Sequence, residues 1–196
     1  MDEQALVAAA RGGDTQAFNK LILTYQTLAY NVAYRTLHDP DAASDATQQA
    51  FISAFRALPS FRGGSFKAWL LRIVTNACYD QLRRDKRRPT TSLDDMLVDP
   101  DHSVVLTDEA ESPEEYALRQ NLGRVIQNAL DELPPEQRVT VILSDIQGFS
   151  YEEIAQSTGV SLGTVKSRLS RGRARLRDCL QGEQELSPRR YRRIGR

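Results

Sequence analysis

Residues 150–171 read SYEEIAQSTGVSLGTVKSRLSR, and this stretch decides the fold. It predicts two short helices joined by a tight turn. Ser150 and Glu153 have the spacing of a capping box at the start of the first helix, and Gly159 supplies the left-handed residue that ends it. Ser161 then caps the second helix. The stretch is therefore typical of a helix-turn-helix.

The second helix of this motif has one apolar face and one polar face. Helical spacing places Val165, Leu169 and Leu176 on the buried side. A helix that reads DNA offers hydrogen-bond donors to base edges and cations to phosphates. The pattern favours duplex DNA binding over a solvated surface helix, because such helices usually mix Glu with Lys and Arg. The predicted groove-facing residues are Thr164, Lys166, Ser167, Ser170 and Arg171, and further cations are Arg168, Arg173, Arg175 and Arg177.

The bulk composition is that of an ordinary globular protein, with 40% hydrophobic and 27% charged residues among 196. No apolar run is long enough to cross a bilayer, and the first residues lack the features of a signal peptide, so we expect a cytoplasmic protein without membrane contact. Cys78 and Cys179 fall on or beside apolar helix faces and are expected in the core. His38 and His102 fall in loops without other ligands, so we predict no metal and no cofactor.

The formal net charge of zero conceals a strong separation of charge along the chain. Basic blocks lie at residues 83–88, in the second helix of the helix-turn-helix, and at residues 189–196. No Lys or Arg lies between Arg88 and Arg119, whereas acidic residues are frequent there. We therefore predict a flexible acidic linker over residues 89–112 and a basic tail over residues 182–196.

Four helices are predicted before this linker. Asp14, Asp39 and Ser65 are their capping residues, and Pro40 occupies a first helical position. No segment of the chain alternates with the period of a strand, so residues 1–88 are interpreted as a helical bundle. The predicted helices cover residues 2–11, 15–37, 40–58 and 66–85.

The segment 113–181 is predicted to form a second, smaller helical domain that ends in the helix-turn-helix. Pro134 and Pro135 separate its first two helices. The fold class is thus all-α, with two small helical domains joined by the acidic linker. The predicted buried seams are Leu118, Leu122, Val125, Ile126, Ala129 and Leu133 in one helix and Val139, Ile142, Leu143 and Ile146 in the next.

The last helix of the N-terminal bundle carries a stripe of polar and aromatic residues on the face opposite its apolar seam. Single-stranded nucleic acid requires flat side chains for stacking, amides for base edges and cations for phosphates. Trp69 stands at the edge of this face, and Phe61 and Arg62 lie in the preceding glycine-rich loop. The alternative is that Trp69 and Phe61 only fill the core. The stripe consists of Arg72, Asn76, Tyr79 and Arg83.

With both domains interpreted, the chain resembles the extracytoplasmic-function (group IV) sigma factors of bacterial RNA polymerase. The resemblance rests on DAASDATQQAF at 41–51, FRGGSFKAWLLRIVTN at 61–76, and the segment from LPPEQR at 133–138 through Arg175. It implies a protein that binds core RNA polymerase and directs promoter-specific initiation, with duplex and melted promoter DNA and an anti-sigma factor as partners. It also implies that the chain itself is not an enzyme.

The resemblance implies three sets of site residues. The contacts with the clamp helices of the polymerase's largest subunit would be Asp41, Asp45, Gln48, Gln49 and Phe51, although many relatives carry Glu where this chain has Gln49. The minus-ten element would be read by Phe61, Arg62, Ser65, Trp69, Arg72, Asn76 and Arg83. The minus-thirty-five element would be read by Thr164, Lys166, Ser167, Ser170 and Arg171, and Ser170 is smaller than the aromatic residue of some relatives.

Two other classes of protein are compatible with parts of the pattern. A one-component regulator would bind duplex DNA through the helix-turn-helix without replacing the sigma factor, but it has no use for a stripe directed at unpaired bases. A nuclease or recombinase would require a catalytic centre. Asp39, Asp41 and Asp45 could be imagined as metal ligands, but one of them is a helix cap and no His or Glu converges with them.

Overall fold

The computed structural model describes residues 3–87 and 113–186, and every regular element in these two ranges is helical. The prediction of an all-α fold is confirmed. The predicted linker 89–112 lies outside the described residues, as does the tail beyond residue 186. The helices are α1 (Glu3–Arg11), α2 (Thr15–Leu37), α3 (Pro40–Ala57), α4 (Phe66–Arg87), α5 (Pro113–Asp131), α6 (Pro135–Val141), α7 (Tyr151–Thr158) and α8 (Leu162–Leu186).

Two irregular turns interrupt this helical series. A 3₁₀ turn at Leu58–Ser60 follows α3, and a π-helical turn at Ile142–Ile146 extends α6. Helix α8 continues to Leu186 and so includes the first residues of the predicted tail, which the sequence pattern placed outside the helix.

The predicted capping residues of the N-terminal unit, residues 3–87, are confirmed. Asp14 accepts hydrogen bonds from the backbone of Gln16 and Ala17 at 2.8 and 3.1 Å. Asp39 accepts from the Ala42 backbone at 2.7 Å. These carboxylates satisfy N–H groups that have no partner within the helix. His38 ends α2 in the left-handed conformation, with φ of 55°.

The core of the N-terminal unit lies where α2, α3 and α4 pack on one another. Helix α3 contributes small side chains to this core, which allows its neighbours to approach closely. Phe55, on the same helix, is instead 45% exposed. Cys78 is buried as predicted, and burial raises the pKa of its thiol to about 12. The buried residues include Leu21, Ala29, Val32, Ala43, Ala50, Ala54, Leu70, Leu71 and Val74.

In the C-terminal unit, residues 113–181, the core forms around α6 and α8. The seam predicted for α5 is only half correct. Of the six predicted residues, Ala129 and Leu133 are buried and Val125 and Ile126 are half-buried, whereas Leu118 and Leu122 are 41% and 56% exposed. Periodicity predicts which face of a helix is apolar, but the extent of the neighbouring helices decides how much of that face is covered.

The two units pack directly against each other, in one continuous core. Helix α4 of the N-terminal unit contacts α7 of the C-terminal unit, and the end of α2 contacts α5 and α6. The Thr75 hydroxyl donates a hydrogen bond to the Ser157 carbonyl at 3.5 Å. The Lys67 ammonium lies 3.8 Å from the ring centroid of Phe149. The sequence made no prediction about this relative placement.

Candidate nucleic-acid interface

The helix-turn-helix has the local geometry that its sequence predicts. The Ser150 hydroxyl accepts a hydrogen bond from the Glu153 backbone at 3.2 Å, and the Glu153 carboxylate accepts one from the Ser150 backbone at 2.9 Å. The second of these bonds lowers the pKa of Glu153. Gly159 ends α7 at φ of 69°, where a side chain would be strained. Ser161 accepts from the Thr164 backbone at 3.2 Å and so caps α8.

The predicted groove-facing side chains lie together on the first turns of α8. Lys166, Ser170 and Arg171 are exposed, and Thr164 and Ser167 are half-buried. The Arg171 guanidinium donates to the Ser167 carbonyl and hydroxyl at 3.3 and 3.2 Å. Arg171 is therefore held along its own helix, with its charge beside Lys166 and Ser170 on the outer surface.

Arg173, one of the further cations of this helix, is paired with an acidic side chain of the same unit. Its guanidinium donates to both carboxylate oxygens of Asp145, at 2.9 and 2.6 Å, and to the Ser144 hydroxyl at 3.3 Å. This pair joins α8 to the π-helical turn. The hydrogen bonds from Arg173 lower the pKa of Asp145, and the carboxylate raises the pKa of Arg173. Arg173 thus positions the recognition helix.

Replacing Asp145 by Asn tests this pairing through the pH dependence of stability. The pair is partly exposed, so we expect a loss of about 1 kcal/mol or less in the free energy of unfolding at neutral pH. Because the folded-state pKa of Asp145 lies below its ordinary value of 3.8, the difference should persist above that value and disappear as the pH falls through the lowered pKa. Urea unfolding of both proteins between neutral and acidic pH measures the difference; a pH-independent difference would contradict the assignment.

On α4, three of the four stripe residues are placed as predicted and one is not. Arg72, Asn76 and Arg83 are exposed, and Arg83 pairs with Asp80 at 3.2 Å. Tyr79 instead packs toward the C-terminal unit, with its hydroxyl oxygen buried and its pKa raised by burial to about 12. The helical spacing was correct, but the neighbouring unit covers part of the face that the sequence alone left open.

The aromatic residues near the start of α4 form a cluster. The Phe61 ring centroid lies 5.1 Å from that of Trp69 and 6.0 Å from that of Phe66. Phe61 is only 6% exposed, which agrees with the core interpretation for this residue. Trp69 is half-buried, and Arg62 and Ser65 are exposed. Trp69 is therefore the aromatic residue of this cluster that is partly exposed.

The residues implied in polymerase binding share one side of α3. Asp41, Asp45, Gln48 and Gln49 are exposed, and Phe51 is half-buried. The amide of Gln48 donates to Ser44 at 3.3 Å, and that of Gln49 donates to Ser53 at 3.4 Å.

Sequence reasoning missed two apolar side chains that lie on the same surface. Ile52 and Phe55 are 47% and 45% exposed and follow Gln48 by four and seven residues. This spacing puts all three side chains on one face of α3, so helical periodicity was the available signal.

Two negative findings apply to the described residues. Within residues 3–87 and 113–186, no three His, Cys, Asp or Glu side chains are grouped as metal ligands would be. In the same ranges no helix has the length and apolarity needed to cross a membrane.

Comparison with known families identifies both units. The sequence signature described as "Sigma-70 region 2" matches residues 21–88, and "Sigma-70, region 4" matches residues 123–176. The first includes α3 and α4, and the second includes the helix-turn-helix.

Individual relatives cover nearly the whole chain. The RNA polymerase sigma-H factor of Pseudomonas aeruginosa is 36% identical over 91% of this chain and 94% of its own length. The ECF RNA polymerase sigma-E factor of Escherichia coli K12 is 35% identical over 92% and 95%. The ECF RNA polymerase sigma factor SigE of Mycolicibacterium smegmatis is 40% identical over 84% of this chain, and the match spans 62% of that relative's length.

Solved structures show the same fold. The CnrH chain, solved in complex with the cytosolic domain of CnrY, has a TM-score of 0.68 at 25% identity and covers 92% of this chain and 99% of its own. The RpoE chain of Bartonella quintana, solved with the anti-sigma factor NepR, has a TM-score of 0.64 at 28% identity and covers 84% and 96%.

An all-helical protein with a capped helix-turn-helix and exposed basic and amide side chains along α4 is, by class, a DNA-binding transcription factor. The matched regions and relatives narrow this class: the chain belongs to the extracytoplasmic-function sigma factors of the sigma-70 family. It is an alternative sigma factor, which directs promoter-specific transcription with core RNA polymerase.

Proposed function

We propose that the chain divides promoter recognition between its two units. It binds polymerase through a third surface that lies outside both DNA-binding faces. Helix α8 reads the minus-thirty-five duplex through Lys166, Ser170 and Arg171, with Thr164 and Ser167 beside them. The observation that carries the proposal is that the first turns of this capped helix expose Lys166 and Arg171 and contain no acidic residue. Cations there neutralise phosphates, and hydroxyl and guanidinium donors reach base edges.

The surface around α4 holds the separated minus-ten strand. Arg62, Ser65, Arg72, Asn76 and Arg83 supply exposed donors and cations along one side of the unit. Trp69 supplies a partly exposed ring for stacking, which is worth about 1–3 kcal/mol per base. Phe61 acts behind it: the buried ring supports Trp69 rather than capturing a base directly.

Core RNA polymerase binds through α3. Asp41, Asp45, Gln48, Gln49 and Phe51 make the contacts with the clamp helices of its largest subunit. The exposed Ile52 and Phe55 extend this surface with apolar area, which is typical of the buried centre of an interface. The chain adds no catalytic step of its own, and its cytoplasmic location follows from that of its partner enzyme.

An anti-sigma factor is the proposed regulatory partner. The support is that the RpoE chain of Bartonella quintana was solved with the anti-sigma factor NepR, and that CnrH was solved with the cytosolic domain of CnrY. A pull-down with wild-type chain as bait, followed by competition with core polymerase, tests this partner. A partner that binds together with core polymerase would contradict it.

Transcription in vitro with purified core polymerase and this chain as the only specificity factor tests the function itself. We expect initiation at specific promoters. The control is the same reaction with core polymerase but without the chain. The rival one-component regulator makes the opposite prediction, since it stimulates only a polymerase that already carries another sigma factor. Absence of initiation at every promoter would favour that rival.

Single substitutions should separate the two DNA faces. Lys166→Ala and Arg171→Ala should each weaken duplex binding about tenfold. A side chain that contacts a base contributes about 1–3 kcal/mol, and the variant loses this contribution. A side chain that contacts a phosphate contributes to the salt dependence of binding, which the variant should flatten. Trp69→Ala and Asn76→Ala should slow strand opening about tenfold and leave duplex binding nearly unchanged.

The measurements are mobility shifts for duplex binding and a fluorescent base in the minus-ten strand for opening. Arg124→Ala is the matched charge control, since Arg124 is an exposed residue of α5 outside both faces. Equal effects of all four substitutions on both steps would show that the division of labour is wrong.

A further inference from the structure

The first turn of α8 contains a glycine that no contact within the protein explains. Gly163 is the second residue of the helix and is exposed. Apart from its chain neighbours and the backbone of its own helix, the described residues place a single atom within 4 Å of the position that a Cβ would occupy. This atom is Oγ of Ser161, at 3.8 Å, an ordinary van der Waals distance. The fold therefore has room for alanine at this position, although glycine is the weaker helix former.

Other glycines of the C-terminal unit have a structural reason. Gly159 adopts a φ of 69°, which a side chain would strain. Gly172 lies where a Cβ would be 2.8 Å from Cγ2 of Val141. Gly163 has neither a positive φ nor a close neighbour, and in this respect it resembles Gly123 of α5. What separates Gly163 from Gly123 is the surface on which it lies.

Gly163 lies at the start of the proposed duplex-reading face of α8. Lys166 and Ser167 follow it by three and four residues, and Ser170 and Arg171 follow it by seven and eight. Residues at these spacings share one face of a helix. The Cα–Cβ bond of a helical residue tilts toward the N-terminus of the helix, so a side chain at position 163 would project from the leading end of this face.

The residues around Gly163 leave its backbone uncovered. Leu162 is 40% exposed, and Lys166 on the next turn is exposed. Thr164 is half-buried, and its hydroxyl is hydrogen-bonded to the Ser161 hydroxyl at 3.0 Å. Glycine thus leaves a gap between larger side chains at the leading end of the face. Such a gap is typical of a place where a ligand approaches the backbone closely.

We propose that Gly163 sets the depth to which α8 enters the major groove of the minus-thirty-five duplex. This proposal rests on the proposed function of α8. The major groove is about 12 Å wide, and a helix with its side chains is about 10–12 Å across, so the fit leaves little spare room. The N-terminal residues of a recognition helix contact the base edges. A methyl group at position 163 therefore collides with the duplex and holds the helix further from the bases.

Gly163→Ala should change stability and DNA binding in opposite directions. The melting temperature of the free chain should rise by about 1–4 °C, because alanine is the better helix former and has room. With core polymerase, the variant should bind a duplex that the wild-type holoenzyme selects from a random pool about tenfold more weakly. Unchanged duplex binding would contradict the proposal. A lowered melting temperature would also overturn it, since Gly163 would then serve the fold.

Gly123→Ala provides the comparison, because its Cβ also meets open space and it lies on α5, outside both proposed DNA faces. It should raise the melting temperature by a similar amount and leave duplex binding unchanged. Gly163→Leu places a larger side chain at the same exposed position and should weaken duplex binding more than Gly163→Ala does, whereas Gly123→Leu should not weaken it. Binding that is independent of side-chain size at position 163 would exclude a steric limit on depth.

A mixed-sequence duplex of the same length, at the same salt concentration, gives the second readout. Contacts with base edges depend on depth, whereas contacts with phosphates bind any sequence. The preference of Gly163→Ala for the selected duplex over the mixed one should therefore fall about tenfold, and an equal loss on both duplexes would contradict a role in depth.

Lys166→Ala and Arg171→Ala in the same assay separate this proposal from the proposed function. If neither variant weakens binding, the duplex-reading face itself is wrong. If both weaken binding and Gly163→Ala does not, the face stands and the close approach at Gly163 is wrong.

Discussion

Replacing Arg138 by methionine should lower the free energy of unfolding by about 3–5 kcal/mol. The guanidinium is almost fully buried and donates hydrogen bonds to the Thr36 and Asp131 carbonyls at 2.6 Å each. Burial lowers its pKa, and Asp131 acts in the opposite direction, but the group stays charged because no physiological pH approaches that of a guanidinium. Methionine matches the length of the stem and cannot satisfy either carbonyl.

Urea denaturation followed by circular dichroism measures this loss. Arg138→Lys should recover only part of it, because a lysine ammonium lacks the planar set of donors that reaches several carbonyls at once. Arg124→Met is the control for removing an exposed arginine from the same unit and should change stability by no more than about 0.5 kcal/mol. A loss below about 1 kcal/mol for Arg138→Met would show that the hydrogen bonds of the buried guanidinium contribute little to the stability of the fold.

Gly172→Ala should destabilise the protein by about 1–3 kcal/mol, although alanine is the better helix former. Gly172 lies in α8, where a Cβ would be 2.8 Å from Cγ2 of Val141 and 3.6 Å from Cβ of Gln137. Both neighbours belong to α6, and the valine side chain is stiff at its first torsion. The added methyl group therefore forces α8 away from α6 and disturbs the helix that carries the proposed duplex-reading residues.

Gly123→Ala is the matched control for this effect. Gly123 lies in α5 with open space around the position of a Cβ, so alanine there should stabilise the protein by about 0.5–1 kcal/mol. The double variant Val141→Ala, Gly172→Ala should lose less stability than the sum of the two single losses, by at least about 1 kcal/mol, because the smaller side chain at position 141 removes the clash. Additive effects in the double variant would mean that some other contact is responsible.

The sequence was a good guide wherever the determining interactions are local. Asp14, Asp39, Ser150 and Ser161 cap the helices that they were predicted to cap, because a side chain and a backbone N–H within three residues define that geometry. The order of helices, the helix-turn-helix and the family are confirmed for the same reason: each depends on spacing along the chain.

The candidate site was predicted less completely, because side-chain exposure depends on what packs nearby. Lys166 and Asn76 are exposed as expected, while Phe61 is buried and Tyr79 faces the other unit. The position of Arg138 in the sequence was informative, because it lies one helical turn before Ile142 on the apolar side of its helix. A charged residue in that position predicts a buried partner, but not that the partner belongs to the other unit.

The sequence by itself determined that this protein is all-helical, that it has two helical units, and that α8 presents a basic face that follows a tight turn. Only the tertiary structure decided that the two units close on each other, that Arg138 binds the end of α2, and that Lys67 and Arg72 are directed at the helix-turn-helix. The physical reason is one of range. Caps and periodicity act over a few residues, whereas the contact from Arg138 to Thr36 joins groups 102 residues apart and depends on how whole helices pack.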